Sequence, residues 1–131
     1  MLHRLMRRPL LLLALPAAAA VVVACGTEDL SLSKSDPNYH GAKVFTERCA
    51  GCHTLKVAGT QGSAVKANKR EYKDGPNFDQ RKETKENVLY AIRNGGYSSG
   101  PMPQNIVVGE DAEAVANFVA NHSGSERETS P

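Results

Sequence analysis

Cys49-Ala50-Gly51-Cys52-His53 is the stretch on which the reading of this 131-residue chain turns. Two thiols three positions apart fall on one turn and reach the two vinyl groups of a single porphyrin. The residue that follows is then brought under the iron with an imidazole nitrogen to offer. Ala50 and Gly51 are small where the backbone must pass close to the ring edge. The spacing therefore predicts one covalent haem c, attached through Cys49 and Cys52 and ligated by His53. Three other uses of the pair fit less well. A thioredoxin-like pair wants a strand before it and a helix after it, and here a helical pattern precedes it. A structural zinc site needs four ligands, and residues 36–122 hold no second cysteine pair beside His40 and His122. A plain disulfide between Cys49 and Cys52 leaves His53 unexplained.

Outward from that motif, three segments carry helical periodicity. Residues 39–49 follow Asp36 or Asn38 as cap, with Pro37 near the start, and set Tyr39, Ala42, Val44, Phe45 and Arg48 along one face. Residues 85–94 are capped by Thr84, stopped by Gly95-Gly96 and striped by Val88, Leu89, Ala91 and Ile92. Residues 110–121 open on acids and space Ala112, Val115, Phe118 and Val119 three or four apart. No segment reads as a sheet. Ile106-Val107-Val108 is an extended link, and residues 56–79 read as loop with one helical turn near 64–70. The expected class is all-α.

The ends differ from the middle. Of 53 apolar residues, 18 fall in the first 24 positions, leaving 35 among the 107 from Cys25 onward. A core that lean wants a disulfide, a metal or a cofactor to hold it. Residues 25–131 carry 13 Lys and Arg against 14 Asp and Glu, so no basic domain argues for nucleic acid. Residues 1–24, with Arg4, Arg7 and Arg8 before a 15-residue run from Leu10 to Ala24, read as a secretory signal, too short for a full span. An uncleaved anchor is the alternative. Val22-Val23-Ala24-Cys25 resembles the lipobox of bacterial lipoproteins, which implies cleavage before Cys25 and a diacylglyceryl group on its sulfur. An ordinary leader cleaved nearby is the competing reading. Residues 25–35 then form a flexible tether, 36–122 the domain, and 123–131 a disordered tail.

Beyond the leader, Met102 is the only methionine. It stands in Gly100-Pro101-Met102-Pro103, where two prolines restrict the backbone around a thioether suited to iron. His40 and His122 are the rival sixth ligands. His40 sits near the first helix, and His122 is placed to cap the last one.

Together these motifs resemble the class I cytochromes c of the small bacterial kind, over about residues 38–121. The resemblance implies a small all-α fold around one haem, with the first and last helices crossing at Gly41, Phe45 and Phe118. It implies that the carbonyl of Pro76, in Gly75-Pro76-Asn77-Phe78, orients the His53 imidazole. It also implies that residues 91–103 form the methionine loop. Residues 60–73 are longer and more charged than a minimal member needs, and Lys56, Lys66 and Tyr72 are candidates for the haem propionates. With both axial positions filled, the expected activity is one-electron transfer, not catalysis. The expected partners are a quinol-oxidising complex and a terminal oxidase, met on the outer face of the cytoplasmic membrane through the lipid anchor. A haem subunit of a larger membrane oxidoreductase is the alternative, and an open-site haem sensor or enzyme is a third.

Overall fold

The structure, a computed structural model, describes residues 29–127. The leader, Cys25, the start of the tether and residues 128–131 lie outside that range. Three helices carry the fold: α1 (Tyr39–Arg48), α2 (Lys85–Asn94) and α3 (Gly109–His122). All three stand within a residue or so of where periodicity places them. The Thr84 hydroxyl accepts from the Asn87 amide at 3.2 Å and starts α2, and Gly95, at φ 72°, ends it. At the start of α1 the Asp36 carboxylate accepts the Asn38 amide at 2.7 Å, whereas Asn38 itself makes no side-chain cap. No helix among the described residues is long and apolar enough to cross a membrane.

The loops differ in one respect from the all-loop expectation. Two short strands, β1 (Thr54–Leu55) and β2 (Thr60–Gln61), pair antiparallel around a 3-10 turn at Lys56–Ala58. The hairpin is too short for any periodic signal to reveal it. A second 3-10 turn, Ala67–Lys69, falls inside the stretch where a helical turn is expected. The architecture is the small all-α one expected, three helices with one hairpin of two-residue strands among the described residues.

Helix α1 crosses α3 in close contact at Gly41. A Cβ on Gly41 would stand 2.2 Å from the Ala114 carbonyl oxygen, so only glycine lets the two backbones meet there. Beside the crossing, Phe45 meets Phe118 edge to face at 5.7 Å, and both rings are buried. Ala42, Val115, Ala116 and Val119 complete that layer.

The domain is longer at both ends than expected. Leu30 and Leu32 pack against the core, and the Ser31 amide donates to the Val57 carbonyl, so the tether of 25–35 gives way to folded chain by Leu30. The expected disordered tail of 123–131 is likewise corrected over residues 123–127, residues 128–131 lying outside the described range. Ser123 is buried and accepts the Glu83 amide, while the Gly124 and Glu126 amides donate to Phe78 and Asp79. Backbone hydrogen bonding captured these polar residues, and hydropathy patterning does not see such bonds.

Gly41→Ala is expected to lower the unfolding free energy of the haem-loaded protein by roughly 1–3 kcal/mol through overpacking. Phe118→Ala should remove about 3–5 kcal/mol by opening a cavity. Urea unfolding with an unchanged m-value would register both.

Candidate haem site

The Cys-X-X-Cys-His loop is built by the end of α1. Cys49 caps the helix, and its carbonyl accepts the amides of both Cys52 and His53, at 3.1 and 3.0 Å. That coil turns two free thiols and an imidazole into one small region. The chain then leaves along β1, held on two sides: Gly62 donates to the His53 carbonyl and Gly75 to the Cys52 carbonyl. An isolated parallel bridge joins Thr54 to Asn77. These bonds place Pro76 next to the imidazole. Its carbonyl accepts from His53 Nδ1 at 3.1 Å, which fixes the proton on Nδ1 and leaves the Nε2 lone pair for a metal.

The ring is also held by packing. Phe78 stacks on it at 4.8 Å with an 11° interplanar angle. Gly75 lies so close that a Cβ there would come within 2.3 Å of the imidazole Cε1. Burial pushes the His53 pKa down, partly offset by the Pro76 carbonyl, so the ring is kept neutral. Burial, then the neighbouring Cys52 charge, pushes the Cys49 thiol up to about 12. Among the described residues, no group of three or more His, Cys, Asp and Glu side chains gathers to hold a metal ion, so the zinc reading finds no second half.

Beside these groups opens a cavity of about 300 Å³. Phe45, Val88, Ile92, Ile106, Val115 and Val119 supply apolar walls, and Cys49, Cys52, His53, Pro76 and Met102 all line it. Met102 arrives on the loop that leaves α2. Gly96 donates back to the Ala91 carbonyl, and Asn105 donates to the Ile92 carbonyl at 2.7 Å, so both ends of the methionine loop are tied to one helix. The five residues implicated by the sequence thus come together around one apolar space. Two thiols, a neutral imidazole with a free nitrogen and a thioether are a donor set that fits a covalently held haem. It does not fit a hard cation.

The rival ligands lie elsewhere. His40 Nε2 meets the Asp111 carboxylate at 2.7 Å on the exposed side of α1 and α3. His122 does not cap α3. Ser123 takes that place, and the His122 ring rests 5.2 Å from Phe118 with its Nε2 buried and without a hydrogen-bond partner among the described residues.

The propionate candidates Lys56, Lys66 and Tyr72 do not line the cavity; Arg48, Arg70, Lys73 and Arg81 do. Their cationic character was legible, but their convergence was not, because it joins α1 to two separate loops. Glu83, buried on the same wall, is ion-paired with Arg81. The loop carrying Arg70 and Lys73 is closed by Asp74, whose carboxylate accepts the amides of Glu71 and Ala64 at 3.0 and 3.1 Å. Those bonds, from Glu71 first and then Ala64, with Lys73 and Arg70 nearby, hold Asp74 below the usual carboxylate range.

The family follows from this arrangement and from comparison. The pattern described as Cytochrome c matches residues 39–123. The chain belongs to the cytochrome c family. It is similar to the c-type cytochrome SorU from Sinorhizobium meliloti, whose crystal structure is 38% identical. That match has a TM-score of 0.53 and covers 68% of this chain and 93% of that one. None of the curated proteins compared with it matches. Membership of the family carries haem-based electron transfer and, at the Cys49/Cys52 spacing, haem c.

Two outcomes follow from the cytochrome site. Gly75→Ala is expected to turn the imidazole off the Pro76 carbonyl, lowering stability by roughly 1–3 kcal/mol. A high-spin component should then appear in the electron paramagnetic resonance of the ferric protein. Separately, the depressed Asp74 pKa means that its carboxylate stabilises residues 64–74 above the unfolded carboxylate range and ceases to do so as pH falls through the lower folded value. Amide-exchange protection at Ala64 and Glu71 should persist at mildly acidic pH and vanish only below that range, and Asp74→Ala, which removes the acceptor, should lose it at every pH.

Proposed function

We propose that this cytochrome is a one-electron carrier whose haem is ligated by His53 and Met102. The observation that carries the reading is the convergence of His53, oriented by Pro76, and Met102, on a doubly tied loop, upon one apolar cavity. Haem c, when bound, supplies a single-electron couple at iron. Cys49 and Cys52 hold it covalently, and His53 presents Nε2 with its tautomer fixed. Met102 offers a soft thioether, which favours the reduced state relative to harder ligands. The apolar walls exclude water and push in the same direction. With His53 and Met102 both given to the iron, the chain would leave no open position for a substrate, which would set the carrier apart from an enzyme or gas sensor.

The same reading places the domain outside the cytoplasm. The basic leader and the lipobox-like Val22-Val23-Ala24-Cys25 support a lipid anchor at Cys25 on the outer face of the cytoplasmic membrane. There a quinol-oxidising complex would donate electrons and a terminal oxidase accept them, with anchoring raising the encounter rate. A mobile carrier is favoured over a fixed haem subunit because, among the described residues, the large exposed apolar side chains are spread over three segments: Val65 and Tyr72, Tyr90 and Tyr97, and Val108.

Potentiometric titration with visible and near-infrared detection tests the ligand set. The wild-type protein should show a moderately positive midpoint and a sulfur-to-iron band in the ferric form. Met102→Ala should abolish that band and lower the midpoint by roughly 0.2 V, a quarter of the about 0.8 V span that axial ligands cover. A band that survives the substitution would overturn the assignment of Met102.

A further inference from the structure

Tyr90 and Tyr97 form an aromatic pair that the packed core does not use. Both are exposed, at 50% and 59%, yet the rings stack with centroids 4.9 Å apart and an interplanar angle of 26°. The Tyr97 hydroxyl donates to the Asn87 carbonyl at 3.2 Å. Asn87 and Tyr90 lie one turn apart on α2, and Tyr97 follows the end of that helix, so its side chain runs back along the outside of α2. Tyr97 also belongs to the loop that carries Met102. That loop opens with Gly95-Gly96-Tyr97-Ser98-Ser99-Gly100, a composition with little conformational bias of its own. Its backbone is tied to α2 at Gly96 and again at Asn105. Between those ties, the described hydrogen bonds from loop to helix are that of the Tyr97 hydroxyl and that of the Gln104 side chain to the Asn94 carbonyl. The latter, at 3.5 Å, is at the outer limit of a hydrogen bond. The methionine sulfur is close to this point of attachment. A Cβ on Gly96, the residue before Tyr97, would stand 4.0 Å from Met102 Sδ, and Tyr97 lines the haem cavity together with Met102.

We propose that Tyr97 is a positioning residue for Met102, clasped against α2 by the Tyr90 ring and the Asn87 carbonyl, and that this clasp sets how readily the thioether leaves the iron. The inference rests on the His53 and Met102 ligation proposed above and adds what holds the second ligand in place. Pro101 and Pro103 stiffen the half of the loop around the sulfur, so Met102 moves away only if the glycine- and serine-rich half gives. Tyr97 resists that movement, because displacing it unstacks two rings and breaks a hydrogen bond. Tyr90 does not line the cavity and acts through Tyr97 alone. With the clasp closed, the position opposite His53 stays with the chain. With it open, a small ligand from solution can take that position.

Imidazole added to the ferric haem-loaded protein tests the clasp. Its nitrogen replaces the Met102 sulfur on iron with no change of oxidation state, and loss of the sulfur-to-iron band reports the exchange. Apparent imidazole affinity should rise roughly fivefold in Tyr97→Phe, which removes the hydroxyl, and by a similar factor in Tyr90→Ala, which removes the stack. Tyr90→Phe keeps a ring and should behave as the wild-type protein. In a Tyr97→Ala background, Tyr90→Ala should add nothing further, because one residue acts through the other. A purely structural role predicts a lower urea midpoint with imidazole affinity unchanged, and that result would overturn the clasp. Full additivity of the two alanine substitutions would overturn it as well. Either result leaves Met102 as a ligand. A wild-type ferric protein without the sulfur-to-iron band removes the ligation reading, and the clasp falls with it.

Discussion

An apolar cavity occupies the place where a domain of this size would set its core, and the rest of the structure depends on that space being filled. The cavity, about 300 Å³ and walled by Phe45, Val88, Ile92, Val115 and Val119, is where a haem would supply apolar contacts that so lean a chain lacks. The chain beyond the leader is too lean in apolar residues to close over the space by itself. Its packed layer is thin: Phe45, Phe118, Leu55 and a few valines and alanines around the α1–α3 crossing. Fold and cofactor are therefore one problem, and the same side chains serve both. Phe45, Val115 and Val119 pack the helix crossing and also line the cavity.

The imidazole of His53 shows how that economy is achieved. A single ring is positioned by a helix end below it, a hairpin after it, a carbonyl on Nδ1, a phenyl ring stacked on one face and a glycine pressed against it. None of these contacts is strong alone. Together they remove the freedom of the ring, so the chain itself fixes its orientation and tautomer, which is how outer partners strengthen a ligand. The methionine loop is held differently. Its two prolines and its two backbone ties to α2 restrict a loop whose own side chains bury little.

Charge is distributed with the same division of labour. The chain from Cys25 onward is close to neutral, yet cations from α1 and two loops meet at the cavity rim, and Arg81 is offset by the buried Glu83. Residues 64–74 carry four exposed cations, Lys66, Lys69, Arg70 and Lys73.

Much of this was written in local sequence. The Cys49–His53 spacing, the Thr84 cap, the glycine stop after α2 and the three amphipathic periods depend on neighbours within a turn or two, and the helices stand where those signals put them. Met102 and Pro76 were legible as well, through the resemblance of their surroundings to a known family. Contacts that close over long stretches of chain were not. The capture of Leu30 and of Ser123 by the body, the replacement of Lys56, Lys66 and Tyr72 by Arg48, Arg70, Lys73 and Arg81 at the cavity, and the unpartnered His122 nitrogen are all of this kind. Local pattern reports which side chains want burial or a partner. Which partner each one finds is decided only when separate segments are brought together, because hydrogen bonds and ion pairs act over a few ångströms of space irrespective of their distance along the chain.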